Sequence, residues 1–166
     1  LVLLAKNPYS SCVLSDAVKD HTIHREYAAI VSGKTDASGT IDLPIARKDG
    51  STIERVLDPE RGETAVTHYR TFAYNKNADL SFIRLLLETG RTHQIRVHMK
   101  AIGHPLPGDF LYCPDYRFID RQPLHSTYLS FSHPVTGEKL EFSAPLPGDM
   151  RKLFPNIKDP SGPVFY

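Results

Sequence analysis

Residues 88–109 read ETGRTHQIRVHMKAIGHPLPGD. The apolar triplet Leu85, Leu86 and Leu87 leads in as a strand would, Thr89-Gly90 makes a turn, and a helix-length run follows to Gly103. That run crowds Arg91, His93, Gln94, Arg96, His98 and Lys100 beside the punctuation of Gly and Pro. A strand-turn-helix with cations at the helix start suits an anion, such as an RNA phosphate or a carboxylate. A surface helix with a solvated charged face accounts for the same charges, and charge alone does not separate the two.

A helix turns about 100° per residue, so the faces of this run can be assigned. Ile95, Met99 and Ile102 fall within roughly 60° of one another and form a buried stripe, while Arg96, Lys100 and His93 share a neighbouring basic arc. Arg96 borders the stripe. Its guanidinium can be partly buried and still grip a carboxylate with both nitrogens in a cleft; a structural ion pair fits that position equally well. His93 and His98 stand about 140° apart around the helix, which argues against a shared zinc ion. No spacing supports an acid–base pair of His93 with His125. Between residues 84 and 104, Arg84, Arg91, Arg96 and Lys100 face only Glu88, a local basic patch. The whole chain carries a net charge of only +1, which excludes a strongly basic nucleic-acid binder.

Working outward, Thr64–Tyr74 alternates and a tight Asn75–Asp79 connection joins it to Leu80–Glu88, which predicts a hairpin. Arg25–Ser32 is a strand with Tyr27, Ala29 and Val31 on one face. Leu1–Lys6 reads as a buried strand ended by Asn7-Pro8, and a helix capped by Ser10 or Ser11 runs to about His21. Thr40–Ala46 and Thr52–Leu57 are further strands. Leu124–His133 and Glu138–Ala144 make a second hairpin, and a short helix reaches Phe154. These elements predict an α+β domain: a mixed, largely antiparallel sheet with a few packed helices. Residues 1–154 form the domain and 155–166 an irregular tail. At 166 residues, 40% hydrophobic and 23% charged, the chain has the size and make-up of one soluble domain. Cys12 and Cys113 are too few for a disulfide framework and fit a reduced setting. No apolar run approaches the roughly 20 residues that span a bilayer. A cytoplasmic monomer without membrane or metal partners is expected.

Gly90–Tyr112, GRTHQIRVHMKAIGHPLPGDFLY, resembles the signature of the RluA-type pseudouridine synthases. Leu124–Pro134, LHSTYLSFSHP, resembles that family's Leu-His…Phe-x-His-Pro strand, and Arg25–Gly33, REYAAIVSG, its Lys-x-Tyr-x-Ala-x-Val-x-Gly strand. Gly62–Arg70, GETAVTHYR, matches its Gly-Lys-x-Ala-x-Thr-x-Tyr hairpin, and LVLLAKN the strand after its catalytic loop. Five segments in the right order cover nearly the whole chain.

The resemblance implies isomerisation of uridine to pseudouridine in ribosomal or transfer RNA, with no cofactor. An Asp carboxylate is the nucleophile; the base is freed, turned and rejoined through C5, whose proton then leaves. Tyr27 would stack on the flipped uracil, near C5. Arg96 would pair with the nucleophile and keep it ionised and aimed. Arg91, His93 and Lys100 would meet the RNA backbone. Asp109, His125 and His133 match family positions with packing and hydrogen-bonding tasks. The sequence departs from the family in one respect. The His-Arg-Leu-Asp-x-x-Thr-Ser-Gly stretch that carries the nucleophile does not occur, and no other Asp has a comparable setting. The expectation is therefore the larger, C-terminal part of a catalytic domain, inactive alone. The rival reading is a non-catalytic RNA-binding module on a degenerate synthase fold.

Overall fold

The computed structural model describes residues 1–157 and 162–165. Its centre is a six-stranded sheet. The strands are β1 (His24–Ser32), β2 (Ser38–Asp42), β5 (Val66–Asn75), β6 (Leu80–Leu87), β7 (Leu124–Ser132) and β8 (Lys139–Ser143). They lie in the order β2-β5-β6-β1-β7-β8, and every pairing is antiparallel. A separate two-stranded ladder joins β3 (Ile45–Arg47) to β4 (Arg55–Leu57). Three helices complete the fold: α1 (Pro8–Lys19), α2 (Gln94–Ala101) and α3 (Gly148–Leu153). None is long and apolar enough to cross a membrane.

The middle strands read as near-continuous apolar runs because both their faces are covered. Ala29, Val31, Ile83 and Leu85 pack under Ile95 and Met99 of α2. On the opposite face Ala28, Ile30, Leu80 and Phe82 meet Met150 and Phe154 at α3. Leu14 of α1 packs on Leu129 and Phe131.

The strand expected at Leu1–Lys6 does not form, and Val2 and Leu4 are exposed. Leu1 meets β7 through its terminal ammonium, which donates to the Ser126 carbonyl at 3.2 Å, and not through a ladder. The first helix begins earlier than Ser10. Asn7 caps it by accepting from the Ser10 amide at 2.8 Å, with Pro8 in the first turn, where a missing N–H costs nothing. Within this helix Leu14 is buried and Val18 is 44% exposed. Thr40–Ala46 is two strands, broken around Leu43-Pro44. Beyond α3, the described tail residues adopt neither helix nor strand, but they are not detached. The Val164 amide donates to both Glu26 carboxylate oxygens at 2.8 and 3.0 Å, and Gly162 accepts from Arg84 at 3.3 Å.

Candidate active-site groove

Tyr27 projects from β1 half-buried, beside the core beneath α2. It lies in a groove of about 870 Å³ with Ile23, Leu86 and Leu87 as apolar walls and Lys19, Arg25 and Arg91 as cations. Glu88 is the carboxylate of the lining, and it is committed to His68 at 2.6 Å.

Arg91 reaches this groove because Gln94 fixes the turn before α2. Buried Gln94 accepts from the Arg91 amide and the Thr89 hydroxyl, both at 2.9 Å. Its own amide donates to the Val66 carbonyl and Thr67 hydroxyl, at 2.9 and 3.0 Å. One side chain thus ties turn, helix and β5 together and satisfies all its polar atoms. The sequence reading missed Gln94; its position between a Thr-Gly turn and a helix was the available signal. The Arg91 guanidinium donates to the Thr64 carbonyl at 3.0 Å and pairs with Glu63.

Arg96 lies elsewhere. Its guanidinium is buried and grips Asp109 through Nε and a terminal nitrogen, both at 2.6 Å. The partner expected for Arg96 was a nucleophilic carboxylate; the one it has is the aspartate of the Pro-Gly-Asp loop. Burial pushes the Asp109 carboxyl up, but Arg96 and the Leu111 and Tyr112 amides outweigh it and hold it below its ordinary value. Gly108 brings this loop close. It has φ +72°, and a Cβ there would lie 2.6 Å from the Ile119 and Arg121 carbonyl oxygens.

Of the other residues of the basic arc, His93 is half-buried and Lys100 stays outside. His93 precedes α2 in the left-handed region, φ 59°, and its Nδ1 lies 3.0 Å from the Tyr112 hydroxyl. That hydroxyl also accepts from the Arg55 amide at 2.9 Å. Burial, followed by the Arg96 and Arg55 charges, pushes the His93 imidazole down. Lys100 is exposed, with its ammonium 5.6 Å from the centre of the Tyr112 ring, and Arg96 stacks on the same ring at 4.8 Å. The expected patch keeps Arg91 and Lys100 at the surface but loses Arg84 as well as Arg96. Arg84 is fully buried, 2.8 Å from an equally buried Glu26.

His98 bonds Thr67 and the Leu43 carbonyl, at 2.8 and 2.9 Å, and His104 the Ser32 carbonyl at 2.8 Å. His125 sits across the ladder from Ala28. Among the described residues no trio of His, Cys, Asp or Glu is grouped to hold a metal ion. The groove can stack a planar base on Tyr27 and balance negative charge with Arg25 and Arg91.

This sheet and its helices are the architecture of pseudouridylate synthase domains. The human RNA pseudouridylate synthase domain containing 1 superposes with a TM-score of 0.72 at 27% identity, over 85% of this chain and 62% of that one. The human domain containing 4 shares the fold at 19% identity, TM-score 0.66, over 89% of this chain and 69% of its own. A family profile described as RNA pseudouridylate synthase matches residues 1–101. The chain belongs to that family, and its motifs to the RluA type. An uncharacterized RNA pseudouridine synthase of Bacillus subtilis, YjbO, is 49% identical over 92% of this chain and 53% of its own. Ribosomal large subunit pseudouridine synthase D of Zymomonas mobilis is 41% identical over 93% of this chain and 51% of its own. The chain spans about half the length of these curated relatives.

Proposed function

We propose that this chain supplies the uridine-binding groove of a cofactor-free RNA pseudouridine synthase. Large-subunit ribosomal RNA is the substrate that the synthase D relatives favour. The enzyme would work as a cytoplasmic monomer. Tyr27 is the wall on which an extruded uracil stacks, at the cost of unstacking it from its neighbours. Arg91, rather than Arg96, is the guanidinium that holds the nucleophilic carboxylate ionised, since opposite charge lowers a carboxyl pKa. Arg96 positions the Asp109 loop and, through Tyr112, the start of α2. His93 and Lys100 shape this end of the helix, and Lys100 is placed to meet RNA backbone.

The observation that carries this reading is that Tyr27 and Arg91 line one groove, with Arg91 in an exposed pair with Glu63, while Arg96 is buried against Asp109. The test is tritium release from RNA containing 5-tritiated uridine, which reports departure of the C5 proton. In the full-length protein, Arg91→Met abolishes release and Tyr27→Phe, which keeps the ring, leaves RNA affinity nearly unchanged. Near-normal release from the Arg91 variant would remove Arg91 from the reaction. Among the described residues the groove lining holds no unengaged carboxylate, and the sequence has no His-Arg-Leu-Asp stretch, so the 166 residues alone should release no tritium. The second reading, a binding module, predicts RNA binding without release by the full-length protein as well.

A further inference from the structure

A second hollow, of about 340 Å³, opens on the other side of the Gly90–Arg91 turn. Arg47, Arg55, Arg61 and Arg91 line it with Glu63 and Thr92. Its position is fixed by Tyr112, whose hydroxyl holds the Arg55 amide and so pins β4 to the start of α2.

The arginines here are not equally balanced. Arg61 is paired with Asp58 at 2.9 Å and Asp49 at 3.2 Å, and Arg91 with Glu63. Glu54 is taken by Lys48 at 2.7 Å. Arg47 and Arg55 have no carboxylate partner among the described residues; the Arg55 guanidinium donates only to the Ile53 and Glu54 carbonyls, at 3.1 Å. Yet these two stand directly across the β3–β4 ladder from each other. Like charges at facing positions repel and weaken a sheet. Glu54, Glu63, Asp49 and Asp58 are already paired with other cations, so the two arginines are left to be neutralised from outside.

We propose that this hollow seats a phosphodiester of the RNA strand between Arg47 and Arg55, beside the nucleotide held at Tyr27. The inference rests on the RNA reading above. A guanidinium fork matches two phosphate oxygens, and one phosphate between facing forks removes their repulsion. The lining is charged rather than aromatic, which suits backbone and not a base. Continuity supplies the strand's path, because Gly90 and Arg91 border both the hollow and the Tyr27 groove.

The test is the salt dependence of RNA binding by the full-length protein, read by anisotropy of a fluorescein-labelled RNA stem–loop from about 50 to 200 mM salt. Replacing Arg47 and Arg55 together by Gln should weaken binding about tenfold and flatten the slope of log affinity against log salt by about 0.7–0.9, one phosphate's share. The same two positions as Lys should keep the slope. Without RNA, Arg47→Gln should melt at or above the wild-type temperature, since a repulsion is gone. Wild-type affinity and slope in the double Gln variant would overturn the inference and leave the RNA reading intact. Failure of the wild type to hold the RNA would overturn both.

Discussion

Arg91 and Arg96 are five positions apart in one motif and are held by opposite kinds of environment. Arg96 and Asp109 are nearly inaccessible, with side-chain exposures of 8% and 1%, whereas Arg91 is 39% exposed. Removing one member of a buried pair strands the other charge, so Arg96→Met should cost about 3–5 kcal/mol of stability. Arg91→Met should stay within about 0.5 kcal/mol. Denaturant melts of the two variants read this directly, and equal losses would contradict it. The pair also sets an acid limit. The Asp109 carboxyl is lower in the folded chain than its ordinary 3.8, so its contribution is complete above that value and is lost as pH falls below it. Asp109→Asn should therefore flatten the stability profile below about pH 4. The helical wheel placed Arg96 correctly at the margin of the buried stripe. What a wheel cannot hold is the partner, since Asp109 arrives from a loop beyond the helix.

At the scale of the element, α2 is less a charged surface helix than a buried rod. Gln94 through Met99 are all buried, leaving Lys100 and Ala101 outside. Polar residues survive there because each is matched, and His98 shows how closely. The Leu43 carbonyl can only accept, so Nε2 carries the proton and Nδ1 accepts from Thr67, whose oxygen accepts in turn from Gln94. Burial pushes the His98 imidazole below its ordinary 6.5, with the Leu43 carbonyl opposing. The unfolded chain takes up the proton first, so stability falls as pH drops below about 6.5. His98→Gln should lower stability at pH 7 and remove that slope, as urea midpoints from about pH 7 to 5 will show. The two hairpins and the central strand were legible because alternation and long apolar runs are local signals. The β3–β4 ladder was only half legible: its strands are three residues each and its burden of arginine is sensible only once the facing register is known. The reverse error, counting Arg84 into a surface patch, has the same origin, for Glu26 lies 58 positions away.

For the molecule as a whole, the sheet carries two cores and the groove opens where the α2-side core thins out at Tyr27. The family was legible because its motifs are the residues that fix the turn, the helix and the loop. Which arginine faces the groove was not, because a motif lists residues without saying where they point. The far face is closed by the tail. Glu26 receives Arg84, the Val164 amide and, at 3.2 Å, the Phe165 amide, while Arg70 donates to the Val164 carbonyl at 3.3 Å. A chain ending at residue 157 should keep its sheet but exchange the β1 and β6 amides around Glu26 and Arg84 faster than the 166-residue chain. Unchanged exchange would mean that the tail only rests on the surface.

The tail segment follows Glu26 by 138 residues. A chain made from its amino end therefore pairs β1 with β6 long before the cover for their charged centre exists. On the ribosome this domain would pass through a stage with its sheet drawn together and Glu26 and Arg84 still wet. In that order of synthesis the ion pair is dried only after the strands that carry it have paired.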